Sequence, residues 1–541
     1  MALRIAANPE EIIRVAPMNE DESLCLLRNR LGDTEDYKER DAIELVAELD
    51  YMPLAISQAG GYIRRRQPRT SVSKYLKEIR DDTGRAQLLT MDLDDSRRDG
   101  TASNSILNTW QLSFNYIRTK NRSATILLSA MSLFDRQGIP DFLFRCDYKR
   151  RSGDSNSESN HDHQTGELRA IPDFDDDLDI LTSFSLISIG RSGDQYSMHR
   201  LVQFATRKWL EKQGELEKFK EWYIWTLVDH FPDSMVELEL AKVLFPHVQS
   251  MLSYRPTNSK LLDAWAVVVH RAASFSRHVF NYSKAAELAR LAVDAREAAL
   301  GSEHQCTLDS LHNLGRILRD NLEEKENVLR KAKDGFEKTL GLYDTKTLQS
   351  TNHLAAVLVE QGKDDEGLEL SRTALGDSES HWGPDAIPTL HCLLALAWIL
   401  LNGNWDRIKE AEALGRRALE GYEKYLDPDD ERIGETMVVI GVSLMDQGRF
   451  GEAKEMMLKV VDKIGEIWGP EHPSTTGLKT ISSQLLMLLD DDEEALSLTE
   501  HCVEVLGRTI GYNHEMKKEN ESRLEKWRDP ERRAEWKRRA K

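Results

Sequence analysis

The sequence predicts a mostly α-helical fold whose larger, C-terminal part is a right-handed α-solenoid of paired helices. Three observations predict it: a turn signal recurring at near-constant spacing, a column of leucines after the turns, and a second column of small residues three positions earlier.

The turns are Leu300-Gly301, Leu340-Gly341, Trp382-Gly383-Pro384, Leu426-Asp427-Pro428, Trp468-Gly469-Pro470 and Ile510-Gly511, spaced by 40, 42, 44, 42 and 42 residues. The leucine column is Leu318, Leu358, Leu400, Leu444 and Leu486, and the small column is Gly315, Ala355, Ala397, Gly441 and Ser483. Two helices of a hairpin approach closely only where one offers a small side chain, and a Leu three positions on, on the same face, fills the seam. The second helix has its own small column at Gly367, Ala411, Ala453 and Ala495. Gln361-Gly362 and Gln447-Gly448 mark turns within hairpins, where Gly takes the left-handed conformation that stops a helix.

Period and pattern together resemble the long, kinesin-light-chain-like tetratricopeptide repeats over about residues 261–510. The resemblance implies about six hairpins, the first (261–300) irregular, stacked so that each covers its neighbour's apolar face. It also implies a concave groove for a protein or peptide ligand. The candidate inward column is Asn313, His353, Ala395, Val439 and Ile481, and an Asn there grips ligand backbone in that family. Only Asn313 keeps the Asn and His353 is its polar successor, so the same column also reads as packing against the neighbouring helix. Residues 511–541 form a charged C-terminal helix with Trp527 and Trp536, either a cap on the array or a docking arm.

Toward the N-terminus, Asn19 precedes Glu22 as in a capping box, and Leu24, Leu27 and Leu31 mark one helical face. A helix over 39–50 leads to Tyr51-Met52-Pro53-Leu54-Ala55, where Pro53 opens another helix. Ser105–Ile117 and Ser123–Phe134 alternate as amphipathic helices, with Trp110, Leu112 and Phe114 near the seam. Leu186–Ile189 and Gln195–Met198 flank Arg191-Ser192-Gly193-Asp194 as a β-hairpin. Helices followed by that hairpin suggest a winged-helix-like domain over 101–235, with a polar insertion at 152–170 and a linker helix at 236–260. Met198-His199-Arg200 follows the second strand.

The segment ending in Pro53-Leu54-Ala55 resembles the "GLPLA" motif of NB-ARC ATPases of the STAND class, and Met198-His199-Arg200 resembles their "MHD" motif with Arg in place of Asp. Residues 1–90 then resemble an ARC-like helical remnant of such a module, and the whole chain resembles fungal NB-ARC proteins with tetratricopeptide arrays. The resemblance implies that Pro53 and His199 contact ADP when a phosphate-gripping half completes the site. No G-x-x-x-x-G-K-[S/T] loop occurs in the chain, and Asp175-Asp176-Asp177 reads as loop rather than as the end of an Mg²⁺-binding strand. The expectation is no catalytic residue and no cofactor for the chain alone, with ADP or ATP bound only alongside a P-loop domain lying before residue 1. His199 alternatively reads as a structural histidine at a strand end.

Composition narrows the function classes. With 541 residues the chain has about two to four domains. Its 92 acidic against 73 basic residues leave a net charge of −19, which disfavours nucleic acid as a partner. The longest apolar runs, such as Leu393–Leu401, are too short to span a membrane. Five scattered cysteines without a CxxC pair fit a reducing cytoplasm and no zinc site. His161 and His163 lie in the polar insertion and read as solvated rather than metal-binding. An unpaired strand at Ile12–Val15 predicts self-association at the N-terminal end.

Overall fold

The computed structural model describes residues 18–32, 38–65, 67–80, 106–145, 174–233, 237–319, 321–403, 407–509 and 515–540. The chain divides into two compact units, Met1–His230 with Val243–Arg255, and Phe231–Lys242 with Pro256–Lys541. The strand expected at Ile12–Val15 and the polar insertion with His161 and His163 lie outside the described residues, as do the side chains of Trp110 and Leu112.

In the first unit, α1 (Glu20–Leu31) starts at a complete capping box. Glu22 N–H donates to Asn19 Oδ1 at 2.8 Å, and Asn19 N–H donates to Glu22 Oε2 at 3.0 Å. Leu24, Leu27 and Leu31 are buried as the face predicts. α2 (Glu39–Glu48), α3 (Pro53–Arg65) and α4 (Val72–Arg80) complete a bundle in which α1 packs on α3 and α2 on α4. α3 does open at Pro53, where the missing N–H costs no helical bond.

The rest of this unit contains α5 (Ile106–Lys120), α6 (Arg122–Met131), β1 (Ile139–Pro140), α7 (Phe174–Ser183), β2 (Ile187–Ile189), β3 (Gln195–Met198), α8 (Arg200–Gln213) and α9 (Leu216–His230). The strands form an antiparallel sheet in the order β1-β3-β2, with Ile187 opposite Met198 and Tyr196 between Ile139 and Ile189. The hairpin is the one the turn residues predict. Two elements are not. β1 is only two residues long, below the length at which alternation is readable. Asp175–Asp177, expected in a loop, form the first turn of α7, where acidic side chains meet the positive end of the helix dipole. Asp177 is also buried and accepts from Ser123 Oγ at 2.7 Å. α10 (Leu238–Met251) follows within the segment expected as a linker helix.

The second unit holds six successive hairpins. They are α11 (Ser259–His278) with α12 (Tyr282–Leu300), α13 (Gln305–Ile317) with α14 (Leu322–Leu340), and α15 (Thr345–Glu360) with α16 (Asp364–Trp382). Then come α17 (Ile387–Asn402) with α18 (Ile408–Tyr425), α19 (Glu431–Asp446) with α20 (Phe450–Trp468), and α21 (Pro473–Leu488) with α22 (Asp492–Thr509). Each helix packs on the next, and first helices also touch first helices from α11 through α19.

The leucine column and the two small-residue columns are seams of this stack. Leu318, Leu358, Leu400, Leu444 and Leu486 are all buried, each stabilising the array by about 1.5–3 kcal/mol. A Cβ placed on Gly315 would stand 2.5 Å from the Leu329 side chain. At Gly367 it would meet the Ala355 carbonyl oxygen at 2.6 Å, so backbone meets backbone there. The hairpin glycines Gly362 and Gly448 take φ of 77° and 75°, the left-handed geometry their position requires.

A further column emerges at the junctions between hairpins. The hydroxyls of Thr307, Thr347, Thr389 and Thr475 donate to the carbonyls of Gly301, Gly341, Gly383 and Gly469 at 2.8, 2.8, 2.7 and 2.9 Å. Each ties an orphan carbonyl near the end of one hairpin to the first turn of the next. Ion pairs such as Arg290–Glu324, Arg372–Glu410 and Lys454–Asp491 cross from hairpin to hairpin at 2.9, 2.6 and 3.0 Å. Solvent screening limits each to about 0–1 kcal/mol.

The C-terminal segment forms α23 (Glu515–Arg528) and α24 (Pro530–Ala540). Trp527 is fully buried among Leu486, Met487 and Ala495, with Trp536 against it at 5.0 Å. The tail therefore closes the apolar face of the last hairpin.

Candidate functional site

In the first unit the structure brings His199 to the turn that leads into Pro53. His199 is the N-cap of α8, its Nδ1 accepting from Leu201 N–H at 3.3 Å. That acceptor role places the proton on Nε2, which donates to the Asp50 carbonyl at 3.4 Å. The Asp50 carboxylate accepts from Arg200 N–H at 3.0 Å and from the Arg136 guanidinium at 3.2 Å. Burial pulls the His199 pKa below its usual value, with Asp50 opposing.

Asp50 and Tyr51 adopt φ of 50° and 55°, two consecutive non-glycine residues in the left-handed region. Such residues cost on the order of 1 kcal/mol each and persist where surroundings hold them. Here the hold comes from Arg136, Arg200 and His199. Arg200, the departure from the family motif, pairs its guanidinium with Glu48 at the end of α2. Pro53 itself is exposed. Asp50 was not singled out in the sequence, because nothing local marks an acid two residues before a Met-Pro pair.

In the second unit the first helices line an inner face. Its closure is a cluster of three rings: His278 at the end of α11 lies 4.4 Å from Trp468 and 5.0 Å from His472. Trp468 and His472 are themselves stacked at 5.4 Å. The first hairpin thus touches the junction of the fifth and sixth.

Asn313 is 5% exposed and its amide donates to Ser274 Oγ on α11 at 3.1 Å, so it is engaged within the wall. His353 is half-buried, with Nδ1–H donating to the Gln349 carbonyl at 2.8 Å and its ring 4.9 Å from His312. Its pKa falls to about 4 through burial, then through Arg316. A neutral His353 keeps Nε2 as an acceptor. Ala395 and Ile481 are half-buried and Val439 is buried.

Four charges stand beside this column. Arg277 on α11 and Arg316 on α13 act electrostatically on Glu435 of α19, and Arg277 also on Glu431. Among the described residues none of the four makes an ion pair or a side-chain hydrogen bond, and Arg277 Nε is buried without a partner. Glu435 retains accessible surface, yet its surroundings are crowded enough that burial, then Glu431, push its carboxyl up. The enclosure likewise pulls the Arg277 guanidinium down. A signal for them was present: Arg316 stands three residues beyond Asn313, and Glu435 four before Val439, one turn along the same face. No group of three metal-ligating side chains occurs among the described residues, and no described helix is long and apolar enough to cross a membrane.

Two of the hairpins, α13 with α14 and α19 with α20, match the tetratricopeptide class. Residues 307–344 and 434–474 match the tetratricopeptide repeat family, and residues 116–214 match a domain of unknown function (DUF7779). Over 307 residues the chain is 28% identical to a nucleotide-binding leucine-rich repeat (NLR)-like protein of Hyaloscypha variabilis, covering 56% of this chain and 29% of that protein. The chain therefore spans under a third of that curated relative's length.

Solved structures with similar elements include a signal transduction ATPase with numerous domains (STAND) protein with a tetratricopeptide repeat sensor from Pyrococcus horikoshii. It is 14% identical at a TM-score of 0.33, over 91% of this chain and 66% of that one. Kinesin-light-chain-like repeats of Podospora anserina are 20% identical at a TM-score of 0.29, over 37% and 93%. Superpositions this loose decide nothing; the fold rests on the repeat geometry and the repeat-family match.

Proposed function

We propose that this chain is the regulatory, protein-binding part of a signalling switch, and that its repeat array takes a peptide segment on the inner face of α13, α15, α17 and α19. The observation that carries this reading is the stack of six hairpins whose first helices touch one another from α11 through α19, two of the hairpins matching the tetratricopeptide repeat family. Similarity to an NLR-like protein supports the signalling part of the reading. A non-catalytic role agrees with the absence of a P-loop motif in the sequence. The check is hydrogen exchange of the full chain with a peptide selected from a random display library. Protection should concentrate on α13, α15, α17 and α19; protection confined to other helices overturns the reading.

A second reading, a nucleotide-dependent switch whose phosphate-gripping half is supplied by a P-loop domain, is favoured by the contact of His199 with the turn before Pro53. As placed, both His199 ring nitrogens are engaged, so a phosphate would compete with the Asp50 carbonyl for Nε2–H. On this reading the His199–Asp50 contact is the alternative to nucleotide. ADP titrated into the native full-length protein should bind at least about tenfold more weakly to the His199→Ala variant, on the order of one charge-assisted hydrogen bond. Equal affinities remove this reading.

A further inference from the structure

We propose that the ring contact closing the second unit is operated by protons: it is shut at pH 7, and protonation of His278 and His472 opens it by pH 5, freeing the first hairpin from the junction of the fifth and sixth. This goes beyond the scaffold reading and does not depend on it.

Two imidazoles, one from each side of the contact, are enclosed together. His278 ends α11, while His472 caps α21 and is 7% exposed. Their rings lie 5.0 Å apart, with Trp468 of α20 at 4.4 Å from the first and 5.4 Å from the second. Neither Nε2 bonds across the contact: both atoms are buried without a partner, and His472 Nδ1 accepts from Ser474 N–H of its own helix at 3.2 Å. A charge taken up on either ring therefore lacks both water and an acceptor in the closed form, and finds water in the open one. Other enclosed histidines lie in seams between adjacent first helices, as His312 on Ser350 and His391 on Arg432 do at 2.8 and 3.2 Å. His278 and His472 differ in joining hairpins that are not neighbours.

The surrounding charges oppose a proton as well. Arg277 stands beside His278, and Lys242 of α10 acts on His472, so both neighbours are cationic. The carboxylates closest in sequence are engaged elsewhere, Glu471 with Arg508 at 2.7 Å and Glu239 with Lys242 at 2.6 Å. Glu431 and Glu435 of α19 act on Arg277 and not on either imidazole. The indole face attracts one imidazolium, but two of them 5.0 Å apart repel.

The direction follows from where each form binds protons. Burial, then His472 and Arg277, holds His278 down to about 4, and burial, then Lys242, holds His472 there too. In the open form each ring returns to water and its ordinary value of 6.5. Closure is therefore complete above pH 6.5, weakens as the pH falls through that window, and levels off beneath about pH 4. At pH 5 each ring shifts the opening equilibrium by up to about thirtyfold.

Hydroxyl-radical footprinting of the full chain, read at single tryptophans by mass spectrometry, tests this. Between pH 7 and pH 5, oxidation of Trp468 relative to the exposed Trp382 should rise about two- to threefold, while the fully buried Trp265 stays protected. In the pair variant His278→Phe with His472→Asn the rise should vanish. Phe keeps a ring and Asn keeps the α21 N-cap, but neither takes a proton. His278→Phe alone leaves that cap untouched and should retain a smaller rise, which decides the matter if circular dichroism shows the pair variant to have lost helix. Trp468 oxidation unchanged between the two pH values overturns the proposal, as does an equal rise in the single variant. A rise shared by Trp265 overturns it too, because the array is then unfolding rather than opening.

Discussion

Taking the full chain from pH 7 to pH 5 will lower the unfolding midpoint of its repeat array by about 10 °C. Burial holds the imidazoles of His278, His353, His391 and His472 down to about 4 and that of His270 down to about 3, with His312 also well below its usual value. The unfolded chain binds protons on these groups below about pH 6.5. The folded array refuses them until about pH 4. Stability is therefore complete above pH 6.5, is lost as the pH falls through that window, and levels off beneath it.

A fully enclosed imidazole contributes up to about 1.4 kcal/mol per pH unit in this window. Five of these rings are half-buried and His472 is buried, and solvent reduces that to a fraction. Six of them together still give about 3–5 kcal/mol by pH 5, and each kcal/mol shifts the midpoint of a repeat region this size by about 2–4 °C. Glu435 and Asp446, with their raised carboxyls, work in the opposite direction but are two groups against six. Thermal melts followed by circular dichroism at the two pH values check this. A midpoint unchanged between pH 7 and pH 5 means that the imidazoles are not enclosed as described.

Trp527→Ala should destabilise the end of the array by about 3–5 kcal/mol, the usual cost of emptying a buried aromatic site. Trp527 fills the space between the last hairpin and α24, and its removal uncovers Leu486, Met487 and Ala495 together. Stack stability is a sum of nearest-neighbour terms, so the loss stays local. Hydrogen exchange should quicken across α21–α24 and stay unchanged in α13–α16. Trp527→Phe is the informative control. The indole N–H is buried without a partner, so Phe keeps most of the apolar contact and removes an unmet donor. It should cost under about 1 kcal/mol relative to Trp. An Ala variant as stable as the Phe variant would show that the ring does not seal the array.

The array was legible in the sequence because its packing rule is written once per hairpin. Leu318 and Gly315 need each other at three residues' distance, and that demand recurs at Leu358 and Ala355, so chance matches are filtered out by repetition. The first unit has no such redundancy. Its capping box and β-hairpin were readable because local chemistry defines them, while β1 and α7 form through contacts with distant segments, such as Ser123 on Asp177. The candidate sites divide the same way. His199 and Pro53 stood out through short motifs, but their link through Asp50 spans about 150 residues and leaves no local trace. The residues of the inner column lie on first helices, and one of them, Asn313, bonds to Ser274.

The ring cluster of His278, Trp468 and His472 has a consequence for how the array assembles. Contacts between successive helices join residues a few tens apart, so the stack can grow by adding one hairpin to its neighbour from any starting point. The ring contact joins residues 190 positions apart and exists only once the intervening hairpins are in place. It is therefore the last contact to form and the first that can be surrendered, and its loss leaves every neighbouring seam intact. The array can spring open at that point, as a clasp does, at a small fraction of the free energy that unfolds it.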